Sequence, residues 1–129
     1  MGDQRRAVGR QGEVLAAAYL QRKGYGIIAT NWRCAAGEID LITMDGPALV
    51  FVEVRTRRGS TAGLAEESVT RAKQRRLVRL AQRYLQNLDD ARTPWLGPWR
   101  IDVVAIHIAP GTSGTQIRHL QHAVEDLES

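Results

Sequence analysis

The sequence predicts an α/β domain in which a helix precedes three strands and a second helix precedes a fourth. Two segments carry apolar residues spaced by three and four, the pattern of a helix with one buried face. Between and after them lie short runs rich in Val, Ile, Phe and Trp, bounded by Gly, Pro, Asn and Asp, which read as strands and their turns. At 129 residues with 43% hydrophobic content, the chain is long enough to close one real core, so a single domain over residues 1–129 is expected.

The first helix spans residues 3–23, DQRRAVGRQGEVLAAAYLQRK, with Asp3 placed to cap its start and Gly24 to end it after Arg22 and Lys23. Glu13 shares a face with Ala16, Ala17 and Leu20. An acid at the edge of such a stripe either turns back to solvent or serves a site. Gly9 and Gly12 each cost about 1 kcal/mol of helix propensity relative to Ala and admit close approach of a backbone or a ligand. Residues 25–33, YGIIATNWR, form the first strand, with Ile27, Ile28 and Trp32 as its apolar anchors, and Cys34 to Gly37 lead into a hairpin.

That hairpin, GEIDLITMDGPALVFVEVRTR from Gly37 to Arg57, carries more acids than a structural hairpin needs. Its strands are Glu38–Thr43 and Leu49–Arg57, and Met44 to Ala48 supply the turn. Asp40 and Glu53 share a face when the numbers of paired residues sum to an odd value. Both a two-residue turn at Asp45-Gly46 and a four-residue loop from Asp45 to Ala48 satisfy this, and each puts Arg55 on the same face. Opposed carboxylates repel. A divalent cation between them removes that repulsion, and Mg²⁺ takes oxygen ligands in an octahedron at roughly 2.0–2.1 Å. Acids for a metal, with a cation for developing charge, suit phosphoryl chemistry. A solvent-facing strip of alternating charge is the plainer meaning of the same residues.

After Arg57 a glycine-containing loop, RGSTAGLAEE, holds Arg57 and Arg58 beside this hairpin. The second helix is expected over about Ala65–Leu88, with Val69, Ala72, Leu77, Leu80, Tyr84 and Leu88 as its buried stripe. Arg71, Arg75, Arg79 and Arg83 recur every four residues and make a basic stripe that is either a solvated face or a track for a phosphate backbone. Lys73 lies four residues from both Val69 and Leu77, so it leaves the apolar stripe and can reach towards the hairpin. Trp95 and Trp99, in a connection containing Pro94, Gly97 and Pro98, read as core cover before a platform for stacking a base. Residues 100–108, RIDVVAIHI, are apolar on both faces and so form an interior strand, and Asp102 reads as a partner for a helix or loop. Thr115 to Val124 reads as an edge strand, on which His119 and His122 point to opposite faces.

The 18 Lys and Arg against 14 Asp and Glu give a formal charge of +4, which permits a polyanionic partner. Nearly all of that charge is arginine, since Lys23 and Lys73 are the only lysines. Cys34 is the sole cysteine, so no intramolecular disulfide forms and a reducing cytosol suits the chain. No apolar run approaches 18 residues and no secretory h-region follows Arg5 and Arg6, so a cytoplasmic protein with no membrane association is expected.

Read in order, GRQGEVLAAAYLQRKGY, NWRCAAGEIDLI, LVFVEVRTR, VTRAKQRRLVRLAQRYL and WRIDVVAI strongly resemble the YraN family of small bacterial proteins, over Gly9 to Ile108. Members of that family look like the restriction-endonuclease-like fold, and in particular like Holliday junction resolvases. The resemblance implies an αβββαβ core, a mixed central sheet flanked by helices, and a PD-(D/E)xK type site bound to Mg²⁺ or Mn²⁺. Carried over residue by residue, it makes Glu13 the helix acid, Asp40 the hairpin acid and Glu53 the second metal-binding acid. These three are the expected metal ligands, and Arg55 completes the expected catalytic set. The family of nucleases has lysine where Arg55 stands. Arginine keeps the charge and the donors but, with a pKa above roughly 12, cannot act as a base. Glu38, Arg57 and Lys73 also match family positions, with no role attached. DNA, branched or otherwise structured, is the implied partner, met by Arg57, Arg58, Arg71, Lys73, Arg75 and Arg79, and resolvases of this fold imply a homodimer. A nucleic-acid-binding protein without catalysis, with Arg55 as the disabling change, is the alternative, and a purely structural role for the scaffold is a third.

Overall fold

In the computed structural model, helix α1 (Gly2–Arg22) is followed by strands β1 (Gly26–Cys34), β2 (Gly37–Asp45) and β3 (Ala48–Arg58), helix α2 (Arg71–Gln86), and strands β4 (Trp99–Ile108) and β5 (Thr115–Leu120). The structure describes residues 2–59, 70–86, 95–109 and 114–124, with side chains from Ala7 onward. The strands lie in the order β1-β2-β3-β4-β5. Neighbours are antiparallel except β3 and β4, which run parallel because α2 carries the chain between them. This is the expected αβββαβ core with a mixed sheet, extended by β5 at one edge.

Each face of the sheet is covered by one helix. Ala16 and Leu20 of α1 pack with Leu41, Val50, Val52, Val104 and Ile106. Leu77, Val78, Leu80 and Ala81 of α2 pack with Ile42, Phe51 and Ile101 on the other side, with Trp95 and Trp99 closing that core. β4 contributes to both layers, which is why its sequence is apolar at successive positions.

Helix ends follow from local chemistry. Gly24 takes φ +95°, its N–H bonds the Gln21 carbonyl at 3.0 Å and the Tyr25 N–H bonds the Leu20 carbonyl at 2.9 Å. This pair of bonds is a Schellman closure, and only glycine enters it without steric cost. The start of α2 differs from the expected one. Thr70 stands outside the helix and its Oγ1 accepts the Lys73 N–H at 3.2 Å, so α2 is capped there rather than begun at Ala65. Ala72, assigned to the buried stripe, is exposed, and Val78 and Ala81 take the inward positions. The expectations for Asp3, Val69, Leu88 and most of the loop after Arg58 lie outside the described residues or side chains.

The β2–β3 turn has the two-residue length of one loop considered from sequence and the register of the other. Asp45 pairs with Ala48, leaving Gly46 and Pro47 as a two-residue turn with Gly46 at φ +57°. A positive φ followed by the fixed negative φ of proline is the type II′ combination that matches strand twist. Paired numbers across this hairpin, such as Leu41 with Val52, sum to 93, an odd value. β5 ends at Leu120 rather than at Val124, and His122 follows in a turn at φ +53° while Val124 folds back into the α2-side core.

Opposite the first turn of the hairpin, the sheet is locked by a buried polar network. Asp102, with no exposed surface, accepts Arg100 Nε at 3.0 Å, the His122 N–H at 2.9 Å and His119 Nε2 at 2.8 Å. Arg100 Nη2 also reaches the Tyr25 hydroxyl at 2.8 Å and Asp45 Oδ2 at 2.9 Å. One aspartate therefore ties β4, β5, the end of α1 and the β2 turn together. Removing one member of such a buried set leaves the others unpaired. Asp102→Ala is expected to lower unfolding free energy by about 3–5 kcal/mol, read from urea denaturation.

Candidate functional site

The sequence-predicted acids converge at the other end of the sheet, where β1, β2 and β3 part. Ile39 and Ile42 both pack on the α2 side although three residues separate them, and so do Ala29 and Trp32 in β1. Alternation along a strand would send each pair to opposite faces. Both strands must therefore change faces together, and the pairing shows where: Thr30 pairs with Leu41 and Trp32 with Ile39, while Asn31 and Asp40 between them do not pair. Leu41 accordingly packs on the α1 side.

This face change alters the expected geometry of the acids. The β2–β3 ladder stops at Leu41 and Val52, so Asp40 does not sit squarely opposite Glu53 on one face. Instead its carboxylate turns into the gap between the strands and Oδ2 accepts the Val54 N–H at 2.8 Å. Asp40 thereby lines two cavities. One, of about 620 Å³, is bounded by Glu38, Asp40, Glu53, Arg55, Lys73 and Arg76. The other, of about 650 Å³, opens on the α1 side beside Gly9, Glu13, Thr56 and Arg57.

Glu13 reaches Asp40 because α1 lies tight against β3. A Cβ at Gly12 would overlap the Thr56 side chain, so glycine is what permits that approach. Gly9 has nothing within 4 Å of such a Cβ, and its smallness instead leaves the second cavity open. Carboxylate oxygens of Glu13, Glu38 and Asp40 lie within 4.8 Å of one another. Oxygens around Mg²⁺ stand about 2.9 Å apart when cis and roughly 4 Å when trans, so these three hard donors suit one such cation once they draw together. Glu38 thus joins the site, although spacing alone gave it no role.

Glu53 is placed differently. It faces α2, where Lys73 Nζ lies 3.3 Å and Arg55 Nη1 3.7 Å from its Oε2. Both cations are largely buried, at 28% and 18% side-chain exposure, so the pairs are shielded from salt more than surface bridges are. Lys73 does leave the apolar stripe for the hairpin, as its spacing indicated. Arg76, three residues on and on the same helix face, lines the same cavity and was not singled out from sequence. Arg57 borders both cavities and Arg58 the second. Arg71, Arg75, Arg79 and Arg83 are exposed along α2 and line neither cavity, so they form a basic face beside the site and not within it.

Crowding of acids shows in Asp40. Burial pushes its carboxyl up to about 7, the negative charge of Glu53 adds to the shift, and the Val54 N–H offsets part of it. Glu13 and Glu38 push in the same upward direction. A bound cation would reverse this, since it favours the ionised form.

Residues 12–106 match the model of a family described as "Uncharacterised protein family UPF0102". Relatives named "UPF0102 protein" resemble the chain along almost all of its length. One from Herpetosiphon aurantiacus is 54% identical, covering 94% of this chain and 96% of its own. One from Roseiflexus castenholzii is 48% identical over 98% of this chain and 99% of its own, and one from Symbiobacterium thermophilum 50% identical over 92% and 96%. The matched span includes Glu13, Glu38, Asp40, Glu53, Arg55 and Lys73.

Because the folded protein holds the Asp40 proton more tightly than an unfolded chain does, this residue contributes stability below about pH 4 that is lost as pH rises through 7. In metal-free buffer, Asp40→Asn is expected to match the parent near pH 4 and to exceed it by roughly 2–4 kcal/mol at pH 8, measured by urea denaturation at each pH.

Proposed function

The chain belongs to the UPF0102 family, the YraN family of its motifs, and on the site it carries we propose that it is a Mg²⁺- or Mn²⁺-dependent endonuclease hydrolysing a phosphodiester bond in DNA, branched or otherwise structured. The observation that supports this best is Asp40, set in the seam of the sheet between a cup of acids on one side and a cluster of cations on the other. That pairing suits a phosphodiester, which brings negative charge to a site that must also hold a cation.

Asp40, Glu13 and Glu38 would hold the ion, with Glu53 completing the acidic wall from the α2 side. When bound, the ion supplies Lewis acidity that makes water a better nucleophile and offsets charge on the phosphate. The chain's own part is positional. Arg55, Lys73 and Arg76 face the cavity and donate to the non-bridging oxygens as charge builds on them. Water attacks phosphorus in line, the bond from phosphorus to the departing sugar oxygen breaks, and its electron pair stays on that oxygen. The water proton passes to solvent and the departing oxygen takes one from solvent. Arg55 cannot carry either proton, so its role is fixed charge. The exposed arginines of α2, with Arg57 and Arg58, supply a face for the flanking phosphates. Among the described residues no helix is long and apolar enough to cross a membrane.

A second reading keeps the DNA and drops the turnover. The observation favouring it is the guanidinium of Arg55 in the place where the nucleases of this fold type carry lysine. The two readings separate in one experiment. With Mn²⁺ and a panel of linear, flapped and four-way DNA, the nuclease reading expects cleavage that Asp40→Ala lowers by more than about 100-fold, the upper range for losing even an outer partner of a metal ligand. Equal rates for parent and variant would remove this site from the chemistry. The binding reading expects no cleavage by the parent, DNA affinity whose logarithm falls by roughly 0.9 per phosphate contact for each tenfold rise in salt, and cleavage gained on Arg55→Lys.

A further inference from the structure

We propose that Asn31 is a positioning residue for the cation site, holding Glu13 at the angle from which it can share an ion with Asp40. The inference rests on the metal-dependent reading above and adds to it a residue from β1, the edge strand.

Asn31 stands at the point where β1 changes faces, and it bears the conformational cost of doing so. Its φ is +52°, in the left-handed region that side-chain-bearing residues seldom enter. Asparagine is among the few non-glycine residues that tolerate this region. Glycine would meet the backbone need more cheaply, so the carboxamide requires its own explanation. The structure supplies one: Asn31 Nδ2 donates to Glu13 Oε1 at 2.9 Å, from the edge strand to α1.

Three consequences follow from that bond. It fixes one oxygen of Glu13, which leaves the other as the donor available to an ion. It uses a neutral group, so the bond brings no compensating positive charge to Glu13. This contrasts with Glu38, which is paired with the Arg33 guanidinium at 2.7 Å, and with Glu53, which is paired with Lys73. It also ties the helix acid to the unpaired step that releases Asp40, because Asn31 and Asp40 lie across from each other in the β1–β2 register and both go unpaired. One local irregularity thus sets the orientation of both carboxylates.

The test is Mn²⁺ binding by calorimetry on the whole chain, run beside thermal unfolding. Asn31→Gly keeps the left-handed backbone and removes only the carboxamide. It is expected to weaken Mn²⁺ binding about tenfold, the low end for losing an outer partner of a metal ligand, with the apo melting temperature unchanged or raised. In a Glu13→Ala background the same change is expected to cost no further affinity, since its effect passes through Glu13. Unchanged Mn²⁺ affinity in Asn31→Gly, or an equal loss with and without Glu13, overturns the assignment while leaving the metal site intact. Absence of Mn²⁺ uptake by the parent chain overturns the metal reading itself.

Discussion

The face change shared by β1 and β2 is the constraint on which the rest of the site depends. In an uninterrupted hairpin Asp40 would lie over the α2-side core with Ile42, and Glu13 on α1 would face it through the full thickness of the sheet. Turning both strands at once frees Asp40 from the ladder and satisfies its carboxylate with the Val54 N–H. The arrangement opens the sheet without leaving a buried polar side chain unmet, and none is found among the described residues. Hydrogen bonding thus sets the position of the acid.

The two ends of the sheet treat charge in opposite ways. At the closed end Asp102 is saturated by Arg100, His119 and the His122 N–H, and the result is a fixed joint. At the open end burial, with the nearby charge of Glu53, pushes the Asp40 carboxyl up to about 7, and no cationic side chain is among the causes that hold it down. A saturated network contributes rigidity, while an unsaturated one has capacity left for a ligand. The same pairing of residue types therefore has different meanings at the two ends, and burial together with partner number decides which.

Much of the architecture was legible in the chain. The order of elements, the glycine closing α1, the interior character of β4 and the reach of Lys73 all followed from period and local chemistry. The start of α2 was not, because the apolar pattern continues upstream of Thr70 and a single threonine hydroxyl decides the boundary. Glu13, Asp40 and Glu53 were found as a set, yet their sides of the sheet were not. Parity assumes one face per strand, and the left-handed step at Asn31 breaks that assumption without adding or removing a residue. Glu38 and Asn31 were passed over for the same reason. The one available signal was asparagine, a residue that tolerates positive φ, inside an otherwise ordinary strand. Apart from Arg100, the partners of Asp102 lie 17 and 20 residues along the chain, so a buried joint around it had little local signature.

The contact between Gly12 and Thr56 has a mechanical side. α1 is clamped at its far end by the Schellman closure at Gly24 and bears on β3 at Gly12, one residue from Glu13. At 1.5 Å per residue the two supports stand about 18 Å apart, so the helix is a beam held at both, with the acid just inside the second and the N-terminal turns overhanging it. A load on the overhang, such as a bulky substrate pressing near Gly9, would rock the beam about the Gly12 bearing and convert a push at the cavity rim into a small rotation of Glu13.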